Sequence, residues 1–381
     1  MKKAGVIIIC LITVAFMVME VSCKKESAVE HAIIQHGDIY NPTPFNLKLP
    51  LWALSNPPTM PVDNPLTVEG VSLGRKLFYD KILSANLTMA CATCHNLGNG
   101  FTDNAKQFST GIDNFTGNRN SMPVFNLLWV ERYAKAPYRF FWDGRATDLE
   151  DQAKGPISNP IEMHDSMPHV TQKLQADPDY PGLFKKAFGT SVITPLLVQK
   201  AIAQFERTII SANAKIDKYL VNVDPNTGHI IGTKDPSVFS EQELRGYYLF
   251  NDTAKGDCFH CHNINGPFST DFLFHHNGHQ SADQGLMTIT GNSFDQGKFR
   301  TPTLRNLVFT APYMHDGRFA TLEEVVEFYN SQAIRTFPAD PFITKHPTGL
   351  NMTSQDKADL VVFLKTLSDS SFITNPDYMK P

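Results

Sequence analysis

Apolar residues recur at helical spacing in four stretches, Pro195 to Tyr219, Ser240 to Phe250, Leu322 to Tyr329 and Ser354 to Leu367, the last opening with a serine suited to cap a helix. No stretch alternates apolar and polar residues in a convincing strand pattern, so the chain is expected to be mainly α. A different pattern stands at the start: Lys2 and Lys3, an almost unbroken apolar run from Val6 to Met19, then Ser22-Cys23 followed by Lys24, Lys25 and Glu26. This reads as a secretion signal. A cysteine after a small residue at the end of such a run resembles a lipoprotein cleavage box, so residues 1–23 are expected to be the signal and Cys23 the lipidated residue. Glu20 departs from the aliphatic residue usual there, and an ordinary cleaved signal or an uncleaved anchor is the alternative.

Self-comparison adds organisation. Gly74-Arg75-Lys76-Leu77-Phe78-Tyr79-Asp80 matches Gly246-Tyr247-Tyr248-Leu249-Phe250-Asn251-Asp252, and Trp142-Asp143-Gly144-Arg145 parallels His315-Asp316-Gly317-Arg318. An internal duplication is the reading, with a first domain over residues 41–220, a second over 236–367, and a linker from Val223 to Lys234.

Composition narrows the class without naming it. The chain is 42% apolar and 19% charged with a formal net charge of -4, which argues against a nucleic-acid partner, and no second apolar run is long enough to cross a membrane. The 25 prolines and 23 glycines predict long ordered loops between modest helices.

The chemistry lies in Cys91-Ala92-Thr93-Cys94-His95 and Cys258-Phe259-His260-Cys261-His262, one before each downstream repeat. Cys-x-x-Cys-His is the attachment signature of a c-type haem: two thiols add to the porphyrin vinyl groups, and the next imidazole becomes the iron's proximal ligand. A zinc half-site or a thioredoxin-like pair needs no histidine after the second cysteine, let alone twice. The remaining cysteines, Cys10 and Cys23, fall in the signal, which leaves none for a structural disulfide. Two covalent haems are therefore expected. Their attachment outside the bacterial cytoplasm agrees with the signal and predicts a periplasmic or cell-envelope protein.

The repeat also suggests what each iron faces on its far side. The position as far beyond His315 as Pro156 lies beyond Trp142 is Tyr329. A phenol oxygen can bind iron and a proline ring cannot, so the second haem is expected to be six-coordinate and the first open. A core aromatic on an amphipathic helix is the plainer alternative for Tyr329.

From Leu73 to Leu367 the chain resembles the bacterial dihaem cytochrome c peroxidases and the related MauG enzymes, which mature a tryptophan cofactor in a partner protein. The resemblance is carried by the two haem motifs, Phe141-Trp142-Asp143-Gly144-Arg145, Gln152-Ala153-Lys154-Gly155-Pro156, Pro160-Ile161-Glu162-Met163, Phe299-Arg300-Thr301-Pro302-Thr303-Leu304-Arg305-Asn306 and Thr310-Ala311-Pro312-Tyr313-Met314-His315-Asp316-Gly317. It implies two cytochrome c-like α domains, a peroxidatic first haem, an electron-handling second haem, and a calcium ion between them held by Asn120, Thr310 and Pro312. It makes Trp142 the indole between the haems and places Gln152 and Glu162 in the distal pocket. Glu162 would carry a proton between the oxygens of peroxide, and Gln152 would hold peroxide or water by hydrogen bonds. His164, His169, His260, His275, His276, His279 and His346 match no ligand of the family and are expected at the surface or behind the ligands, with His275 and His276 the one pair suspected of holding a further metal. His315, whose duplicate is Trp142, is expected beside the second haem and not on its iron.

Two departures matter. The classical peroxidases carry a distal histidine before an Arg-Asn-Ser segment, and here residues Gly111 to Ser121 contain none. They also place methionine where this chain has Tyr329, which is the MauG-like arrangement. Three functions are weighed: a peroxidase drawing electrons from a small redox protein, an oxidant of side chains in a partner protein, and a non-catalytic dihaem electron carrier.

Overall fold

The computed structural model describes residues 40–54, 57–103, 105–223, 230–232, 234–264 and 268–381. The signal and Cys23 lie outside the described residues. Pro42–Pro381 form one compact unit.

Helices dominate, as the periodicity predicts. They are α1 (Val68–Tyr79), α2 (Leu149–Ser158), α3 (Met167–Ala176), α4 (Tyr180–Phe188), α5 (Pro195–Thr208), α6 (Lys215–Leu220), α7 (Glu241–Phe250), α8 (Leu322–Glu327) and α9 (Ser354–Lys365), with shorter turns between them. Side chains satisfy their free N-terminal amides: Thr67 caps α1, Asp148 caps α2 and Thr194 caps α5, while Ser240 with Glu243 and Thr321 with Glu324 form capping boxes on α7 and α8. The cap of α9 is Thr353, boxed with Asp356, and not Ser354, which is its first helical residue. Sheet among the described residues is confined to two antiparallel pairs, β1 (Asn222–Val223) with β2 (Ile230–Gly232) and β3 (Phe274–His275) with β4 (Phe299–Arg300). Elements of two or three residues are too short for alternation to show in sequence.

The periodic stretch from Pro195 to Tyr219 is two helices. Between them, tertiary partners replace the helical ladder: Asn126 Oδ1 accepts from Ser211 N at 3.0 Å, and the Asp369 carboxylate accepts from Ala212 N and Asn213 N at 3.3 and 2.9 Å. Leu322 to Tyr329 also ends differently, as α8 passes into a π turn over Phe328–Gln332. Such turns re-aim side chains and recur at functional sites.

Three apolar clusters form the interior. One gathers Phe78, Phe101, Phe125, Trp129 and Phe205, a second Leu77, Ile157, Phe184 and Ile202, and a third, in the later part of the chain, Tyr247, Phe250, Phe363 and Leu364. The segment after α9 returns to the first cluster. Phe372 packs on Phe101 and Phe125 at ring distances of 5.9 and 5.3 Å, Tyr79 donates to the Tyr378 carbonyl at 2.6 Å, and Arg75 Nε donates to the Met379 carbonyl at 2.6 Å. Arg207, wholly buried on α5, bridges Glu131 and Glu150 at 2.8 and 2.7 Å and so ties α5 to the start of α2.

Two helix crossings depend on glycine. A Cβ on Gly74 would lie 1.9 Å from the Ala201 carbonyl oxygen of α5, and one on Gly246 would lie 2.1 Å from the Asp359 carbonyl oxygen of α9. Both obstacles are backbone, so the helices must separate to admit a methyl. Gly246→Ala is therefore expected to destabilise the protein by about 1–3 kcal/mol, the range typical of overpacking. A lowered urea midpoint with the haems attached is the expected readout, and an unchanged midpoint would show that the crossing has slack.

Candidate functional site

Each cysteine pair faces its own cavity. The first is lined by Cys91, Cys94 and His95 with Gln152, Pro156 and Glu162, and the second by Cys258, Cys261 and His262 with Tyr329, Thr310 and Pro312. Their atom-free volumes, open mouths included, are about 1310 and 1680 Å³.

The groups present suit covalent haem. All four cysteines are free. Burial pushes up the thiols of Cys91, Cys94 (to about 11) and Cys258 (to about 12), the reverse of the lowered thiol that a redox pair requires. His95 donates its Nδ1 proton to the Phe101 carbonyl at 2.9 Å, and His262 donates its own to the Ser269 carbonyl at 3.2 Å. That fixes the tautomer and leaves each Nε2 with a free lone pair. Burial lowers both imidazoles and so favours the neutral, iron-binding form. Arg300, which the sequence reading quoted in a motif but gave no role, lines both cavities and keeps a buried Nε without a hydrogen-bond partner among the described residues. Burial alone pulls its guanidinium down to about 10. A buried cation facing two cavities needs an anion, and the propionates of a haem would supply one.

Trp142 stands in the wall between the cavities and lines both, together with Asn120, Ser121, Pro123 and Arg300. Its Nε1 donates to the Asn120 carbonyl at 2.9 Å, and its own carbonyl accepts from Arg300 N at 2.9 Å. Arg119 holds the wall from behind, gripping Asp143 at 2.5 Å and Asp283 at 2.7 and 2.8 Å. No role was read for Arg119 in the sequence, because its partners are distant in the chain. The Trp142 and His315 rings meet edge to face with centroids 6.5 Å apart.

On the first cavity, α2 presents Gln152 and Pro156 one turn apart on one face, and Glu162 follows in the next turn. Burial raises the Glu162 carboxyl above the ordinary glutamate range, against the lowering by Asn159, whose Nδ2 donates to Oε1 at 2.6 Å, and by Arg145. Ser109, Thr110, Gly111, Gly117, Arg119, Asn120 and Ser121 form the facing loop, and among the lining residues His95 is the sole imidazole. In the second cavity Tyr329 hangs from the π turn, with its hydroxyl accepting from Asn277 Nδ2 at 3.2 Å. Burial raises this phenol, and the Asn277 donor works in the opposite direction. Asn120, Thr310 and Pro312 share the second cavity's wall; the Asn120 amide nitrogen is taken by the Lys106 and Gln107 carbonyls at 3.2 and 3.1 Å, which turns its oxygen away from them.

The suspected His275–His276 pair is not a joint site. Adjacent residues of extended backbone point to opposite sides. Burial pulls His275 down, yet the Asp271 carboxylate at 2.7 Å, the Cys261 thiol and the Asp340 carboxylate at 2.6 Å outweigh it and push the imidazole up. His276 is buried apart, its Nδ1 accepting from Gly278 N at 3.2 Å. His279, expected at the surface or behind a ligand, is buried as well.

Glu206 passed unread in the sequence, since a glutamate on a helix is usually solvated. It lines the first cavity fully buried, its Oε2 has no partner among the described residues, and burial pushes its carboxyl up to about 8. Because the folded state holds this proton more tightly than the unfolded chain, stability is full below the ordinary glutamate range and falls as pH rises through about 8. Glu206→Gln, which mimics the protonated form, is expected to flatten that decline in urea midpoints measured from pH 5 to 9; an unchanged slope would place the titration elsewhere.

The family profile of the di-haem cytochrome c peroxidases matches residues 68–224. The methylamine utilization protein MauG of Methylorubrum extorquens is 36% identical over 330 residues, covering 83% of each chain. The cytochrome c551 peroxidase of Nitrosomonas europaea is 34% identical over 337 residues, covering 86% of this chain and 87% of its own. A crystal structure of a MauG-like protein associated with microbial copper homeostasis superposes with a TM-score of 0.74 at 32% identity, covering 88% of this chain and 99% of that one. The chain belongs to the dihaem cytochrome c peroxidase and MauG family. Membership brings a mainly α fold, two c-type haems and peroxidase-type oxidoreductase chemistry.

Proposed function

We propose that the chain is a peroxidase acting on hydrogen peroxide: Cys91, Cys94 and His95 would hold an open haem in the first cavity, and Cys258, Cys261, His262 and Tyr329 would hold a second haem, which would supply storage or relay of oxidising equivalents. The two haem domains would be residues 41–220 and 236–367. One observation carries the reading: Pro156 lines the first cavity with no imidazole besides His95, whereas Tyr329 lines the second. An iron porphyrin supplies the electron chemistry of peroxide reduction. The chain's own residues do the rest. Glu162 takes the proton from the near oxygen of peroxide and returns it to the departing oxygen, Gln152 holds peroxide or water by hydrogen bonds, and Trp142 offers a path through the wall. Asn120, with the Thr310 and Pro312 carbonyls, offers the hard oxygen donors that calcium takes.

Tyr329 favours a second reading, oxidation of side chains in a partner protein. A phenolate stabilises the ferric state and disfavours electron uptake from a small cytochrome. The periplasm or cell envelope would be the place of either activity; among the described residues no helix is long and apolar enough to cross a membrane.

Oxidised protein is expected to react with peroxide at once and to show a high-spin ferric signal in electron paramagnetic resonance. A low-spin first haem with two histidine ligands, or reactivity that emerges only after half-reduction, would overturn the proposal. Steady turnover with a reduced cytochrome as donor would select the peroxidase over the partner-oxidising reading.

A further inference from the structure

His279, His315 and Asp316 form a cluster that neither haem site nor the calcium position uses. His279 is 3% exposed and His315 4%. One ligand atom from each of the three lies within 4.8 Å of the others. The two rings meet edge to face with centroids 4.9 Å apart, and His279 Nε2 stands 3.4 Å from Asp316 Oδ2. That approach lacks the alignment of a hydrogen bond. Neither nitrogen of His279 has a hydrogen-bond partner among the described residues, nor does Asp316 Oδ1. A buried imidazole with no aligned hydrogen bond at either nitrogen, beside a carboxylate oxygen that has none, is rare unless something absent joins them.

The surroundings hold the cluster in place. His315 stacks on Phe299 at 3.6 Å with an interplanar angle of 13°, and its Nε2 lies 3.3 Å from Ser281 Oγ. Arg318 anchors Asp316 through Oδ2 at 2.8 and 2.9 Å, which leaves Oδ1 as the open donor, and Phe328 backs the His279 ring at 6.0 Å.

We propose that His279, His315 and Asp316 bind a divalent transition-metal ion of the zinc class, at a site separate from the haem irons and from the calcium position. Two imidazoles and one carboxylate suit zinc or a related first-row ion, whereas calcium takes oxygen donors alone. His315 also lines the second cavity and touches the Trp142 ring, so the ion would sit beside the wall between the haems.

The test uses the full haem-loaded protein, stripped of loosely held metal with a chelator and kept in excess calcium while Zn²⁺ is titrated and bound metal is counted by mass spectrometry. One zinc per chain beyond iron and calcium is expected, and His279→Leu is expected to weaken binding by about a hundredfold or more, since even outer partners of metal ligands contribute tenfold to a hundredfold. Asp316→Asn, which keeps volume, gives the same reading should the leucine variant fail to fold. X-ray absorption at the zinc edge of the wild-type protein is expected to show nitrogen and oxygen neighbours at about 2.0–2.2 Å. No zinc uptake, uptake undiminished in both variants, or a shell containing sulfur would overturn the proposal.

Discussion

Glu162→Gln slows peroxide cleavage by about a hundredfold to ten-thousandfold while both haems remain attached, the span that positioned general acid–base groups ordinarily contribute. The substitution keeps the volume of the side chain and an oxygen to accept from Asn159, whose Nδ2 lies 2.6 Å from Glu162 Oε1, so the cavity wall is preserved and only the proton carrier is lost. The raised carboxyl adds a signature. As a base, Glu162 works ionised, and burial lifts its pKa above the usual glutamate range. The rate in the parent protein therefore climbs with pH through that raised value, and this acid limb vanishes in the variant. Stopped-flow mixing of oxidised protein with peroxide across pH 4–8 reads both effects. A glutamine variant with unaltered rate and pH profile would leave Glu162 as a polar group on the wall.

Tyr329→Met raises the reduction potential of the second haem by on the order of 0.1–0.3 V, a fraction of the roughly 0.8 V over which axial ligands set haem potentials. The phenol lies in the second cavity on the π turn with Asn277 as its donor, and the variant exchanges a hard oxygen for a soft thioether. Electron uptake from a reduced cytochrome should quicken, and oxidation of any protein substrate should weaken. Spectroelectrochemical titration measures the shift. Tyr329→Phe is the sharper control, because a second haem whose absorption spectrum survives that change was never ligated by the phenol.

Covalent chemistry was the most legible part of the sequence, because a five-residue motif carries its own geometry: Cys91 to His95 and Cys258 to His262 each fix their cavity through local turns. The mainly α class followed from periodicity, but the span from Pro195 to Tyr219 misled, because Asn126 and Asp369 lie far away in the chain and their hydrogen bonds decide where the helix stops. Distance in sequence also hid Arg119, Arg300 and Glu206. Each is an ordinary polar residue until the fold buries it against a cavity. His279 escaped for the same reason, since its partners Asp316 and His315 adjoin a motif that already had a reading. Gly74 and Gly246 were visible as a repeated pair, yet only the helix crossings give the reason for glycine at both.

The return of Phe372 and Tyr378 to the cluster around Phe101 has a consequence in time. Synthesis runs from the N-terminal side onward, so the cluster around Phe101 is sealed by side chains made much later. The contact spans most of the chain and forms late, at the full entropic cost of closing so long a loop. Until it forms, the turn bearing Cys91 and Cys94 belongs to an unfinished core, and the interval before closure is when the two thiols are most accessible for haem attachment.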